Sequence, residues 1–253
     1  MAPDLFSLRD RTLVVTGGGR GLGRAMALHL AACGARVLVA GRTREALNAV
    51  CAEASARGGT MHAVTVDVGD SASIRRATAA IGDIAPRIDG LVNNAGVEDI
   101  RPSDRVDDAL WDRLLDTNLR GAFFMAQQMA TLMTGGGSIV NLASLTSAVG
   151  VPGAVPYSAS KAGILGLTRG LAVEWAPRGI RVNAIGPGYF HTDMTSGFFA
   201  DPAWQDTVLA RIPLGRFGLP NDLAGPLQFL CSSASAYVTG QVFYVDGGIL
   251  SAL

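Results

Sequence analysis

Short apolar runs alternate along this chain with longer stretches whose hydrophobic positions recur every three or four residues. The short runs fall at 12–16, 36–40, 61–66, 91–93, 138–142, 181–185 and 241–245. Their length and β-branched content predict buried strands. Between them, helices are expected over 24–32 (closed by Gly34), 43–57, from Asp70 onward, over roughly 109–133, over 157–176 and over 223–231. This rhythm predicts an α/β fold: one Rossmann-type, doubly wound parallel sheet of about seven strands, with helices on both faces. No break interrupts it, so residues 1–253 are expected to form a single dinucleotide-binding and catalytic domain. The longest departure is 188–221. It follows a strand and carries Phe198, Phe199, Trp204 and Phe217. That position suits a substrate lid at the carboxyl edge of the sheet.

Composition narrows the function. Lys plus Arg and Asp plus Glu both number 21, and the basic residues are scattered, which argues against a nucleic-acid partner. Glycine is 32 of 253 residues, nearly twice its usual share of about 7 %. The glycines cluster at the ends of apolar runs and read as tight turns. Cys33, Cys51 and Cys231 are widely spaced without a CxxC pair, so a reducing compartment and no metal site are expected. There is no signal-peptide pattern and no apolar run of membrane-spanning length. The expectation is a soluble, cytoplasmic protein with no membrane partner.

The candidate chemistry centres on Tyr157-Ser-Ala-Ser-Lys161. On a helix, four residues apart means one turn apart on the same face, and Pro156 suits a helix start. Bringing a phenol from about 10 to about 7 takes about 4 kcal/mol. An ammonium about 4 Å away supplies about that much at an effective dielectric of about 20. Lys161 is the only lysine among 21 basic residues, so a compact point charge stands at this one place. A tuned acid/base pair is the expectation, set against an ordinary exposed i,i+4 pair. Upstream, the 12–16 strand runs into Gly17-Gly18-Gly19-Arg20-Gly21-Leu22-Gly23 and then a helix. Strand, glycine turn and helix N-terminus together make a pyrophosphate site.

These pieces together resemble the short-chain dehydrogenase/reductase family. The motifs are Thr16-Gly-x-x-x-Gly-x-Gly23, Asp67-Val68, Asn93-Asn-Ala-Gly96, Asn118, Ser144, Tyr157-x-x-x-Lys161 and Pro187-Gly188, in family order and spacing. The resemblance implies that Tyr157 exchanges a proton with a ketone or alcohol oxygen. Lys161 would lower the phenol's pKa and hold the nicotinamide ribose. Ser144 would hydrogen-bond the substrate oxygen, and Asn118 would anchor a water-mediated proton relay, if it is not merely a polar plug in a kinked helix. Gly17, Gly19, Arg20, Gly21, Leu22 and Gly23 would line the pyrophosphate. Asp67 and Val68 would meet adenine, and Asn94, Ala95 and Gly96 the middle of the cofactor. Pro187, Gly188 and Thr192 would meet the nicotinamide.

The residues themselves choose between the nicotinamide cofactors. An NAD site usually carries an acidic residue after the second strand. Here Ala40-Gly41-Arg42 stands there, and no acid occurs between Asp10 and Glu45. Arg20 and Arg42 would converge on a 2′-phosphate, so NADP(H) is expected over NAD(H).

On the substrate side, resemblance points to a small carbonyl or alcohol substrate of sugar-acid or polyol kind. The alternative is 3-oxoacyl-[acyl-carrier-protein] reduction, which wants a basic landing patch. Thr134-Gly-Gly-Gly137 offers no charge for it, and Arg178 alone matches. Glu98, Asp99, Arg101 and His191 are candidate substrate contacts, with His191 more simply a surface residue. His29 and His62 read as structural. A nucleotide-sensing scaffold without turnover is the non-catalytic alternative, disfavoured by the complete Asn118, Ser144, Tyr157, Lys161 set. Resemblance also implies a homotetramer, with the apolar ending 247–253 buried against a neighbour.

Overall fold

The seven apolar runs all become strands of one parallel sheet. A computed structural model describes residues 4–192 and 195–252, with the backbone alone described for Phe198. The strands are β1 (Thr12–Thr16), β2 (Arg36–Gly41), β3 (Thr60–Thr65), β4 (Gly90–Asn93), β5 (Gly137–Leu142), β6 (Ile180–Pro187) and β7 (Val242–Val245), in the order β3-β2-β1-β4-β5-β6-β7. Every pairing is parallel, from Thr16 opposite Ala40 to Pro187 opposite Val245. The order reverses beside β1, whose neighbours are β2 and β4. A crevice therefore opens beyond the carboxyl ends of β1 and β4.

Successive strand residues point to opposite faces, so each strand feeds two cores. On one face Leu13, Val15, Val37 and Val39 pack with Met26, Leu30, Leu47 and Leu227. These come from α1 (Gly21–Ala32), α2 (Arg44–Ala56) and α9 (Ala224–Cys231). On the other face Val14, Leu38, Leu91 and Ile139 pack with Ile74, Ile81, Met125, Met129 and Trp175. These come from α3 (Ser71–Ile84), α5 (Gly121–Leu132) and α6 (Val155–Trp175). Both faces of the sheet are thus dry, which is why the strands read as continuous apolar runs. Asp70 caps α3 by accepting from the Ala72 N–H.

Two expectations change in detail. The single helix expected over 109–133 is three pieces: α4 (Asp108–Leu115), a π-helical turn (Asp116–Arg120) and α5. Asn118 lies in the π turn. Gly121 follows it where a Cβ would come within 2.4 Å of the Val68 carbonyl, so the helix meets the β3 loop backbone to backbone. The 188–221 segment is not structureless. It holds α7 (Ser196–Phe199) and α8 (Pro202–Leu209), the latter started by Asp201 and Pro202. Phe199 sits 4.6 Å from Phe217 and 5.4 Å from Trp204, centroid to centroid, so aromatic packing orders the segment. The side chain of Phe198, expected in the same cluster, lies outside the described residues, as does Leu253.

Candidate active site

The loop after β1 is held by its neighbour strand. The Asn94 side-chain amide donates to the Thr16 and Gly17 carbonyls at 2.9 and 3.2 Å. Thr16 Oγ1 accepts from the backbone N–H groups of Asn94 and Ala95, both at 3.0 Å. Gly17 has φ +65°, and a Cβ at Gly23 would stand 2.3 Å from the Gly17 carbonyl. Only glycine permits that turn and that approach of α1 to the strand end. The first-turn amides of α1 have no capping side chain and no acidic residue beside them. Their partial positive charge suits an anion.

A cavity of about 570 Å³ runs from this loop across the carboxyl ends of the strands. It is lined by every residue expected to touch a cofactor: Gly17, Gly19 to Gly23 with Arg20 and Leu22, Arg42, Asp67, Val68, Asn94 to Gly96, Pro187, Gly188 and Thr192. At the end of β2 the wall is Gly41, Arg42 and Thr43, with no carboxylate among them. Arg20 and Arg42 are exposed and, among the described residues, neither makes an ion pair. The glycine cradle, the open helix N-terminus and the two free guanidiniums fit a phosphorylated dinucleotide.

At the other end Ser144, Tyr157 and Lys161 share the wall. Ser144 lies two residues beyond β5 and caps the short turn at Leu145–Ser147, accepting from the Thr146 N–H at 3.1 Å. Tyr157 and Lys161 lie on one face of α6, with Lys161 Nζ 5.7 Å from the phenol ring centroid. Lys161 is only 5 % exposed and donates to the Leu142 carbonyl at 2.7 Å. Burial pulls its ammonium down to about 8, against the opposing charge of Glu98. The expectation of an acidified phenol does not hold. Burial, reinforced by the Glu98 carboxylate, pushes Tyr157 up, and a hydrogen bond with Ser144 only partly offsets the rise. Burial is the largest cause, and the Lys161 ammonium, 5.7 Å from the ring centroid, does not outweigh it.

Asn118 lies in the π turn that kinks its helix, behind the cavity wall. It is 1 % exposed and does not line the cavity. Its side chain accepts from the Val97 N–H at 2.8 Å and donates to the Val97 carbonyl at 2.9 Å and to Ser160 Oγ at 3.1 Å. It fastens the loop following β4 to α6. Of the acidic and basic residues after the Asn-Asn-Ala-Gly turn, Glu98 alone reaches the cavity. Asp99 pairs with Arg113 at 2.7 Å, and Arg101 faces Asp99 and Asp107. His191 is exposed and packs edge-on against Phe199. His29 meets Gln228 at 3.2 Å inside the fold, whereas His62 Nε2 is buried with no hydrogen-bond partner. Trp204, one of the aromatic residues of the expected lid, lines the cavity from α8. Tyr189 lines it too; it was not named individually, although it directly follows the Pro187-Gly188 pair.

A glycine-loop parallel sheet with a Tyr–Lys pair at its carboxyl edge defines a Rossmann-type oxidoreductase. Comparison with known proteins agrees. Residues 17–250 match the family described as Enoyl-(Acyl carrier protein) reductase. Gluconate 5-dehydrogenase of Gluconobacter oxydans is 40 % identical over 254 residues, covering 99 % of both chains. A 3-oxoacyl-[acyl-carrier-protein] reductase of Synechocystis sp. is 40 % identical over 97 % of this chain and 99 % of its own. The crystal structure of a gluconate 5-dehydrogenase from Burkholderia cenocepacia, in complex with NADP and tartrate, superposes with a TM-score of 0.96 at 36 % identity, covering 99 % of each chain. This chain belongs to the short-chain dehydrogenase/reductase family. Among the described residues no helix is long and apolar enough to cross a membrane.

Proposed function

We propose that this oxidoreductase interconverts a ketone and a secondary alcohol on a small polar substrate, using NADP(H). The carrying observation is that Ser144, Tyr157 and Lys161 share one cavity wall with the glycine loop and Arg42. The bound cofactor supplies or accepts the hydride. Tyr157 gives its proton to the carbonyl oxygen in reduction and takes it back in oxidation. Ser144 hydrogen-bonds that same oxygen as charge grows on it. Lys161 holds the nicotinamide ribose and places positive charge beside the phenol. Asn118 acts from behind, by holding Val97 and through it the wall. The segment at 188–221 serves as the lid, with Tyr189 and Trp204 as its inner face. Relatives named for gluconate oxidation support a sugar-acid or polyol-like substrate. A carrier-protein substrate gains little support: the Arg178 guanidinium donates to the Ala130 carbonyl at the start of β6, at the opposite sheet edge from the cavity.

Arg20 and Arg42 favour NADP(H), since a 2′-phosphate gains charge-assisted hydrogen bonds of about 1.5–3 kcal/mol each. The test is kcat/KM with NADPH and NADH. NADPH should be preferred by at least about tenfold, and Arg42→Asp should cancel or invert the preference. A wild-type preference for NADH would reject the assignment. Residues Trp111, Val155 and Val173 on α4 and α6 leave large apolar surface exposed, which supports a homotetramer pairing through these helices. The three free thiols suit a reducing, cytoplasmic setting.

A further inference from the structure

Glu98 is a charged residue of the cavity wall that the reaction does not use. It stands on the wall beside Tyr157, Lys161 and Tyr189. Its backbone is held firmly. Val97, the residue before it, is bonded at both its N–H and its carbonyl to Asn118. Three residues on, the Arg101 N–H donates to the Gly153 carbonyl at 2.9 Å. Asp99 between them is pinned by Arg113. The side chain itself has no hydrogen-bond or ion-pair partner among the described residues. A partly buried carboxylate with unused acceptor oxygens, on a fixed loop and facing a cavity, is built to take hydrogen bonds from a ligand.

The charges around it decide which ligand. Among the described residues, the charged ones lining the cavity are Arg20, Arg42, Asp67, Glu98 and Lys161. Arg20, Arg42 and Asp67 follow β1, β2 and β3, at the dinucleotide end. The substrate end therefore holds Glu98 and Lys161, and the Lys161 ammonium is directed to the Leu142 carbonyl. Arg101, the nearest guanidinium in sequence, faces Asp99 and Asp107 instead. No guanidinium lines this part of the wall among the described residues. Burial raises the Glu98 carboxyl, and the Lys161 charge opposes that rise. Burial raises the Tyr189 phenol; the Arg211 charge opposes that rise and the Glu98 carboxylate adds to it, so an exposed guanidinium stands near the lid face without lining the wall.

We propose that Glu98 is a specificity-determining residue, accepting hydroxyl hydrogen bonds from an uncharged polyol or ketose and turning away substrates that carry a carboxylate. The inference rests on the reading of this wall as the substrate end, and it narrows that reading from sugar acids and polyols to the neutral class. A hydroxyl-rich substrate donates to the free oxygens and lays its carbon face on Trp204 and Tyr189. A sugar acid brings a second negative charge to a wall with no guanidinium to receive it. Discrimination of this kind works by repulsion as much as by attraction.

The test uses the full chain loaded with NADP⁺ and two four-carbon probes of matched shape, threitol and tartrate, titrated by calorimetry. In parallel, kcat/KM with NADPH is measured for fructose and 5-ketogluconate. Wild type should favour the neutral member of each pair by at least about tenfold. Glu98→Gln, nearly isosteric, should shrink both ratios about tenfold, and Glu98→Arg should invert them. Tartrate binding as tightly as threitol in the wild type overturns the proposal. So does a ratio unmoved in Glu98→Gln, including no measurable binding of either probe to either protein. If neither ketone is reduced while the binding ratio behaves as expected, the reaction assignment fails and the charge selection stands. If both ketones are reduced with equal efficiency in wild type and variant, the opposite holds.

Discussion

Tyr157 and Lys161 show how far a motif's spacing carries and where it stops. Spacing put both groups on one helix face, and they are there. Spacing could not say what the ammonium would bond to, and the Leu142 carbonyl claims it. Replacing Tyr157 by Phe removes the proton donor but little packing. Turnover should fall by about 10²–10⁴-fold while NADPH affinity, read by fluorescence titration, stays within a few-fold. An unchanged rate would favour a nucleotide-binding scaffold. Lys161 makes a second test through stability. Its folded-state value of about 8 lies below the usual lysine range, near 10.4. Above about 8 the unfolded chain still binds the proton while the folded chain has released it, so this group makes stability rise with pH. The rise belongs to the window from about 8 to 10; higher up, Tyr157 acts in the other direction because its pKa is raised on folding. Urea midpoints at pH 7.5, 8.5 and 9.5 should show wild type gaining on Lys161→Met by roughly 2 kcal/mol across the window. A constant difference would mean that the ammonium is not desolvated.

The elements matter through their joints. The π turn at Asp116–Arg120 sits between α4 and α5, and it delivers Asn118 to the backbone of Val97. Three buried hydrogen bonds depend on that one amide. Asn118→Ala would leave the Val97 N–H and carbonyl unpaired, at about 1–3 kcal/mol for each group. The midpoint of urea unfolding should drop accordingly, and KM for the substrate should rise because the Glu98 wall loosens. Asn118→Asp keeps the acceptor and loses the donor, so it should recover part of the stability. A variant with wild-type stability and KM would show that the π turn does not position the wall. The same dependence explains the glycine loop, where Asn94, just past the neighbouring strand β4, does the holding. The loop's glycines were plain in the sequence; the tie was not, because Thr16 and Asn94 stand 78 residues apart.

For the molecule as a whole, the open question is what covers α4 and α6. Val173 is 79 % exposed and Val155 50 %, and Trp111 joins them. Burying such side chains stabilises association by about 25 cal/mol per Å². Light scattering should report a tetramer, and Val173→Arg should shift the mass toward a smaller species. A monomeric wild type would reject the assembly.

The strand count, the parallel sheet and the dinucleotide end were legible in the amino-acid order because each rests on local chemistry. Apolar runs make strands, glycines permit the turn, and the absence of acids between Asp10 and Glu45 leaves Arg42 unopposed. Those properties survive in a chain read one window at a time. Tertiary structure alone decided the three things that needed distant partners. It set the Lys161 ammonium against the Leu142 carbonyl, tied Asn118 to Val97, and left Glu98 on the cavity wall without a hydrogen-bond partner among the described residues. Each is a question of which polar group meets which in a buried space. Burial magnifies the consequence of every such meeting, so small differences in placement set the charge that a substrate encounters.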